Sequence, residues 1–337
     1  SIGYSKKEEM SERSIMVQQK FPYPGKLSLM GEVENQQVRM IEQELSATTL
    51  KKISQTKKDY YEFFLINKEI EVTNRTKEYL KLIEEIANTM YSTGMIPQVD
   101  ILRIQTEILM EIERIIMLEA QKESMIYRIM WYSLGLPQDA PEIIINLPNQ
   151  LKPTELKDYE TLQDIALEKS PMLKMVGYEI EMRRKEVDLA KREFKPDFVS
   201  SAELMDSNNW SLRFGIMYPL YKDKKQKNAL IEAEKGLLSI QKGYENERLE
   251  LLYMLKEAYL MAKAATQNIK LYKTAILPQA NLSYTSALAN YKTGKIDFLM
   301  LFDNLMRLQE SELRYYELLV EHEKQASEIE RLVGGEL

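Results

Sequence analysis

Hydrophobic and polar residues follow a helical period over most of the chain. From Leu27 to Met90 there is no proline, Gly31 is the only glycine, and apolar side chains recur every three to four residues among charged ones. The same pattern runs from Gln226 to Ile276. At about 1.5 Å per residue, the first stretch would form a helix about 100 Å long. The pattern therefore predicts unusually long helices.

The second stretch also carries a seven-residue repeat, which predicts coiled-coil packing. Taking Leu230 as an a position, the a sites are Leu230, Leu237, Tyr244, Leu251, Ala258 and Ala265, and the d sites are Ala233, Ile240, Glu247, Met254, Met261 and Asn268. Only Glu247 and Asn268 interrupt this seam.

Two short breakers share the pattern Tyr-x-Thr-Gly-x-Ile and interrupt the helical period. They occupy residues 91–97, with Tyr91 and Gly94, and residues 291–297, with Tyr291 and Gly294. Helical periodicity resumes after them, over residues 99–134 and 298–333. Because glycine readily adopts the left-handed backbone that ends a helix, each breaker predicts the tip of a helical hairpin.

The two hairpins also resemble each other beyond their tips. At an offset of two hundred residues, the matches are Arg114 with Arg314, Leu118 with Leu318, Ile129 with Ile329 and Gly135 with Gly335. No gap is needed from Tyr91 to Gly135, so the chain is predicted to contain a duplicated unit.

After Pro196 the period changes from 3.6 to 2. In "NWSLRFGIMYPLY" one face carries Trp210, Leu212, Phe214, Ile216 and Tyr218. An apolar face of about nine residues between aromatic ends is typical of a transmembrane β-strand. Together with the weaker alternation in "DFVSSAELM" and the turn "DSNN", it predicts a β-hairpin.

The N-terminus repeats this plan, with "SIGY", the polar loop "SKKEEMSE" and then "RSIMVQQKFPYP". Alternation alone is equally compatible with small soluble hairpins packed on helices. The aromatic flanks and the long neighbouring helices favour the membrane, with Trp210 and Tyr218 in its aromatic belts. Four strands cannot close a barrel and open edges are not tolerated in lipid, so several chains would have to share one barrel. Three copies would supply twelve strands.

Composition excludes several classes of function. With 46 basic and 52 acidic residues the chain is mildly acidic, which argues against nucleic acid as a partner. There is no cysteine and only one histidine, His322, whose charged neighbours predict a solvent-exposed side chain. No catalytic set, metal site or cofactor site can be assembled from these residues, so we expect no enzyme. No apolar stretch approaches the roughly 18–20 residues of a transmembrane helix.

The motifs resemble the TolC outer-membrane efflux family, most specifically over residues 276–319 and 91–105. Residues 17–33 ("VQQKFPYPGKLSLMGEV") and 133–142 ("SLGLPQDAPE") resemble its heavy-metal branch of CusC- and CzcC-like proteins. The resemblance implies a homotrimer with a β-barrel in the outer membrane and a periplasmic α-helical tunnel. An inner-membrane pump and a periplasmic adaptor would feed this passive efflux duct, whose cargo could be heavy-metal ions or organic compounds.

The resemblance also implies a constriction at the tips of the tunnel. The family pattern places aspartates six and nine residues after the glycine of the second tip. Here the ninth is Asp303 and the sixth is Met300, whereas the first tip has Asp100 six residues after Gly94. Threefold acidic rings at Asp303 and Asp100 would favour cations. The alternative is that each aspartate caps a helix or forms a salt bridge, and Asp297 is predicted to be an N-cap.

The expected fold is therefore mainly α, with two long antiparallel helical hairpins and two short β-hairpins. We expect outer-membrane β-hairpins at 1–24 and 196–221, long helical hairpins at 25–135 and 222–337, an equatorial segment at 136–170 with a strand-like "EIIINL", and a helix at 171–195. By the duplication, we expect a similar helix, and any targeting sequence, before Ser1 in the full-length protein. Two competing functions are a periplasmic adaptor, which would have one hairpin, and a soluble coiled-coil scaffold, which leaves the strands unexplained.

Overall fold

The computed structural model describes residues 2–5, 14–141, 143–205 and 209–336. The strands are β1 (Ile2–Ser5), β2 (Ser14–Phe21), β3 (Asp197–Met205) and β4 (Asn209–Met217). The helices are α1 (Lys26–Ser92), α2 (Gln98–Tyr127), α3 (Tyr159–Lys169), α4 (Pro171–Arg192), α5 (Lys227–Leu271), α6 (Leu277–Lys292) and α7 (Phe298–Val333). Short π-helical turns occupy Arg128–Ser133, Lys222–Gln226 and Tyr272–Ile276.

The long helices predicted from periodicity are confirmed. Helix α1 has 67 residues and α7 has 36, and α5 continues through a π-helical turn into α6. Pro278 explains this turn, because a proline has no N–H to donate within a helix and its ring crowds the carbonyl of the preceding turn. A π-helical turn accommodates this irregularity without ending the helix.

The four strands form one antiparallel sheet in the order β1-β2-β3-β4. The two predicted β-hairpins are joined through β2 and β3, where Ile15 pairs with Leu204 and Phe21 pairs with Phe198. The expected loop and turn residues 6–13 and 206–208 lie outside the described residues.

The chain divides into two compact units. The first contains Ser1–Ala47 and Lys169–Glu250, and thus the sheet and α4. The second contains Thr48–Glu168 and Leu251–Leu337, and thus both hairpin tips. Helices α1 and α5 contribute residues to both units.

Two expectations about local structure are wrong. Residues 143–147 of "EIIINL" form no strand, since no strand of the described residues pairs with them. In the second unit, α5 buries Leu251, Leu255, Ala258, Ala262, Ala265 and Ile269. The seam thus follows the predicted a sites but turns away from Met254 and Met261. The buried side of α5 is thus set by Ala258, Ala262 and Ala265 rather than by the methionines of the d sites.

Candidate functional site

Both hairpin tips end their first helix in the same way. Gly94 and Gly294 have φ of 75° and 69°, the left-handed region that glycine adopts without strain. In the first tip the Gly94 N–H donates to the Tyr91 carbonyl and the Met95 N–H to the Met90 carbonyl, each over 2.9 Å. In the second tip Gly294 and Lys295 donate to Tyr291 and Asn290, over 2.9 and 3.0 Å. This pair of bonds is the Schellman arrangement, by which each helix ends at its glycine.

The threonine of the repeated motif has a structural role in both tips. Thr93 Oγ1 donates to the Met90 carbonyl over 2.9 Å, and Thr293 Oγ1 donates to the Asn290 carbonyl over 3.0 Å. Each hydroxyl thus adds a further donor to a carbonyl that also accepts the Met95 or Lys295 N–H. The repeated Thr-Gly pair is therefore explained by helix termination.

The two tyrosines of the motif differ in their surroundings. Tyr91 is 45% exposed, whereas Tyr291 is completely buried. Tyr291 belongs to a hydrophobic cluster that joins the tip ends of α1, α2, α6 and α7. Its buried members include Leu80, Ile83, Met90, Ile101, Ile104, Tyr284, Phe298, Leu301 and Leu305. The two hairpins therefore share one core directly behind their tips.

The predicted gate residues lie at the starts of α2 and α7. Asp100 is in the first turn of α2 and is half-buried. Burial raises the pKa of Tyr291 to about 12, and the negative charge of Asp100 contributes to this rise. Asp100 of one hairpin thus lies within electrostatic reach of Tyr291 of the other.

Residues at the start of α7 are mostly exposed to solvent. Asp297 accepts a hydrogen bond from the Met300 N–H over 2.9 Å, which confirms it as the N-cap. Met300 is exposed, and Asp303 forms an exposed ion pair with Arg307 over 2.9 Å. Within one chain, Asp303 therefore forms a salt bridge, as expected if it has a structural role rather than a place in an acidic ring. A ring of three Asp303 side chains stays a prediction.

A buried polar contact near the tips was not found from the sequence. Gln309 Nε2 of α7 donates to Glu111 Oε2 of α2 over 3.2 Å, and both side chains are buried. Burial raises the pKa of Glu111. The signal was present, because Glu111 continues the buried stripe of Ile101, Ile104 and Ile108 at helical spacing.

The prediction for His322 is wrong. Its side chain is only 1% exposed, and Nδ1 lies 3.0 Å from Glu323 Oε1. Glu323 also accepts hydrogen bonds from the Thr154 N–H and Oγ1, each over 2.8 Å. Burial alone would raise the pKa of Glu323, but the bonds from His322 and Thr154 outweigh it and lower that pKa. Here α7 is buried on several sides, so charged neighbours in sequence did not indicate exposure.

Ion pairs join α1 to α7 along the second unit. The pairs are Lys57–Glu330, Lys58–Glu328, Glu62–Lys324 and Arg75–Glu312. Residue numbers rise on α1 as they fall on α7, so the two helices are antiparallel. The first helix of one hairpin is thus tied to the second helix of the other.

In the first unit, the sheet has one apolar and one polar face. The large apolar side chains of the apolar face are Ile15, Val17 and Phe21 of β2, Phe198 and Leu204 of β3, and Trp210, Leu212, Phe214 and Ile216 of β4, and Gln19, Ser200 and Ala202 lie among them. The nine large side chains are between 42% and 82% exposed. On the opposite face Arg213 forms an ion pair with Glu203 over 2.8 Å. The alternation predicted for β4 is therefore confirmed and extends across three strands.

A large exposed apolar face is unusual for a protein surface in water and marks contact with lipid or protein. Strands β1 and β4 each pair on one side only, so the described sheet has two open edges. Across the described ranges, no helix is both long and apolar enough to cross a bilayer. The same ranges contain no group of three or more His, Cys, Asp or Glu residues placed to hold a metal ion.

The chain belongs to the outer membrane efflux protein family, whose profile matches residues 162–335, more than half of the 337 residues. No curated protein matches the chain in sequence. Solved structures with the same fold include the outer-membrane channel OprN, at 16% identity and a TM-score of 0.84, covering 99% of this chain and 79% of that one. CusC has 15% identity and a TM-score of 0.81, and the match covers 99% of this chain and 82% of CusC. The outer membrane protein VceC of Vibrio cholerae has 15% identity and a TM-score of 0.80, and the match covers 100% of this chain and 85% of VceC.

Proposed function

We propose that the chain is the subunit of a homotrimeric channel, in which three copies pool their strands into one transmembrane β-barrel. The observation that carries the proposal is the four-stranded sheet, with its exposed apolar face and the open edges of β1 and β4. Joining β4 of one copy to β1 of the next would satisfy the backbone groups that lipid cannot. Twelve strands lie within the range of known barrels.

The helical hairpins of the three copies would form a periplasmic tunnel. The tunnel would be one part of a tripartite efflux system, with a periplasmic adaptor and an inner-membrane pump supplying cargo and energy. Family membership supports this role, and so does the shared core behind the tips. The protein itself would then act as a passive duct.

The tips would form the gate of this duct. Rings of Asp303 and Asp100, with Met300 beside them, would narrow the periplasmic mouth and favour cations. Like charges around an axis repel, so the width of such a gate would respond to salt. Heavy-metal ions are the cargo we propose, supported by the resemblance of residues 17–33 to the heavy-metal branch and by the acidic tips.

The absence of cysteine gives a direct test of the shared barrel. Gly3 of β1 would be replaced by cysteine together with Ser211, Arg213 or Gly215 of β4. By the register, these positions share the polar face, but they lie on opposite edges of one sheet. In the channel, oxidation would produce covalent dimers and trimers for at least one of the three pairs.

The control places cysteines at Lys20 and Val199, which are opposite each other in β2 and β3. This pair should react within a single chain and leave the protein monomeric on a denaturing gel. Monomers from all three edge pairs, with the control pair fully oxidised, would contradict the shared barrel.

The cargo is tested in cells that carry the matching adaptor and pump but lack their own channel. Expression of the chain should restore growth in copper or silver and leave tolerance of organic dyes unchanged. Restored tolerance of dyes alone would overturn the metal cargo but not the channel.

A further inference from the structure

The turn from β4 into α5 combines exposed hydrophobic side chains with a run of lysines. We call residues 218–227, "YPLYKDKKQK", the basic turn. Leu220 is 82% exposed and Tyr221 is 73% exposed. The lysines that follow are Lys222, Lys224, Lys225 and Lys227, and the only acidic residue among them is Asp223. An apolar and a cationic part thus adjoin each other in ten residues.

The register of the sheet fixes where the basic turn lies. Met217, at the end of β4, pairs with Asp197 at the start of β3, and Phe21 at the end of β2 pairs with Phe198. All three strands therefore meet helical segments at the same end of the sheet. Tyr218 follows Ile216 at a spacing of two and continues the apolar face into the basic turn.

The charges of the basic turn are not neutralised within the described residues. Lys224, Lys225 and Lys227 are exposed and form no ion pair there. Lys222 lies over the Tyr218 ring, with Nζ 4.1 Å from the ring centroid, and also donates a hydrogen bond to its hydroxyl.

Two other lysines at this end of the sheet are paired, whereas Lys195, just before β3, is exposed and forms no ion pair within the described residues. Lys26 and Lys20 lie 2.8 and 3.2 Å from the carboxylate of Asp197. The basic turn, with four lysines, thus carries most of the unpaired positive charge at this end of the sheet.

We propose that the basic turn binds the phosphate groups of anionic phospholipids at the periplasmic surface of the outer membrane. This inference rests on the proposed function, in which the apolar face of the sheet contacts the lipid chains. Aromatic side chains favour the level of the headgroups, where Tyr218 and Tyr221 would lie. Lysines just beyond the hydrocarbon reach anionic headgroups, and their attraction is weakened by salt.

The experiment measures lipid preference after reconstitution of the whole protein. Vesicles of phosphatidylcholine, with or without phosphatidylglycerol, would contain a trace of spin-labelled lipid of either type. Electron spin resonance gives the fraction of labelled lipid immobilised by the protein. We expect several-fold preference for phosphatidylglycerol, reduced at high salt.

The test variant replaces Lys222, Lys224, Lys225 and Lys227 with glutamine and should bind both lipids equally. The matched control makes the same change at Lys235, Lys242, Lys263 and Lys270, which are exposed on α5. The control should keep the preference of the wild type. An undiminished preference in the test variant, or none in the wild type, would overturn the inference.

Flotation of the vesicles separates this result from a failure of the proposed function. Wild-type protein that inserts but shows no lipid preference contradicts only the role of the basic turn. Wild-type protein that does not associate with either kind of vesicle contradicts the membrane channel, and the role of the turn with it.

Discussion

Gln309 on α7 donates a hydrogen bond to the buried carboxylate of Glu111 on α2, across the interface between the two hairpins. Because burial raises the pKa of Glu111, this carboxyl takes up a proton more readily in the folded protein than in the unfolded chain. The contact therefore couples the packing of the hairpins to pH.

The sign of the effect follows from the direction of the shift. The favourable contribution of Glu111 is fully present below its unfolded pKa of about 4.3 and is lost as the pH rises through the higher folded pKa. Glu111→Gln, which mimics the protonated group, should raise the thermal midpoint at neutral pH and have no effect at low pH. Glu113→Gln, at an exposed site on α2, is the control and should leave the thermal midpoint unchanged at both neutral and low pH. A lower midpoint for Glu111→Gln at neutral pH would contradict this account.

Left-handed glycines at the tips should resist substitution. Gly94→Ala and Gly294→Ala each place a Cβ in the left-handed region, so we expect each to lower the free energy of unfolding by about 1–2 kcal/mol. Gly236→Ala in α5 is the matched control, because a Cβ there meets nothing within 4 Å. It should stabilise the protein by about 0.5–1 kcal/mol. Denaturant titration in detergent measures all three, and equal effects at the three glycines would count against the tip geometry.

Tyr284 has a buried hydroxyl with no hydrogen-bond partner among the described residues. Burial also raises its pKa to about 12. Since an unsatisfied buried hydroxyl is costly, Tyr284→Phe should stabilise the protein by about 1 kcal/mol. Tyr253→Phe removes an exposed hydroxyl that donates to Glu257 over 3.4 Å, and it should be close to neutral. Destabilisation by Tyr284→Phe, measured by thermal unfolding, would mean that this hydroxyl has a partner.

The ion pairs between α1 and α7 should contribute to the free energy of unfolding through the attraction of their charges. For Lys57 and Glu330, which lie 2.5 Å apart, either reversal alone should cost about 1 kcal/mol, and the double exchange should recover most of the loss. The exposed pair Lys242–Glu245 within α5 is the control. The same double-mutant cycle at this pair should give a coupling energy close to zero. A coupling energy for Lys57–Glu330 no larger than that of the control would show that this ion pair does not stabilise the packing of α1 on α7.

Most of the fold could be predicted because its helices are long and regular. Residues 298–333 were predicted to be helical and α7 has those bounds, since an uninterrupted 3.6-residue period between a capping aspartate and a glycine leaves few alternatives. The tips were predicted because one glycine conformation determines where each first helix ends.

Features that depend on neighbouring elements could not be predicted in this way. The buried side of α5, the environment of His322 and the absence of a strand at 143–147 are set by which helices or strands lie alongside. The pairing of β2 with β3 likewise joins segments far apart in the chain. The tip residues Asp100 and Asp303 could be identified from the sequence. A ring of either residue depends on how several chains assemble, which the pattern of one chain does not determine.

The most direct test of the central claim is the mass of the protein particle extracted from membranes in detergent. Light scattering, corrected for bound detergent, should give three times the mass of one chain, in a particle that precipitates when the detergent is removed. A monomer or dimer that stays in solution without detergent would contradict the shared barrel.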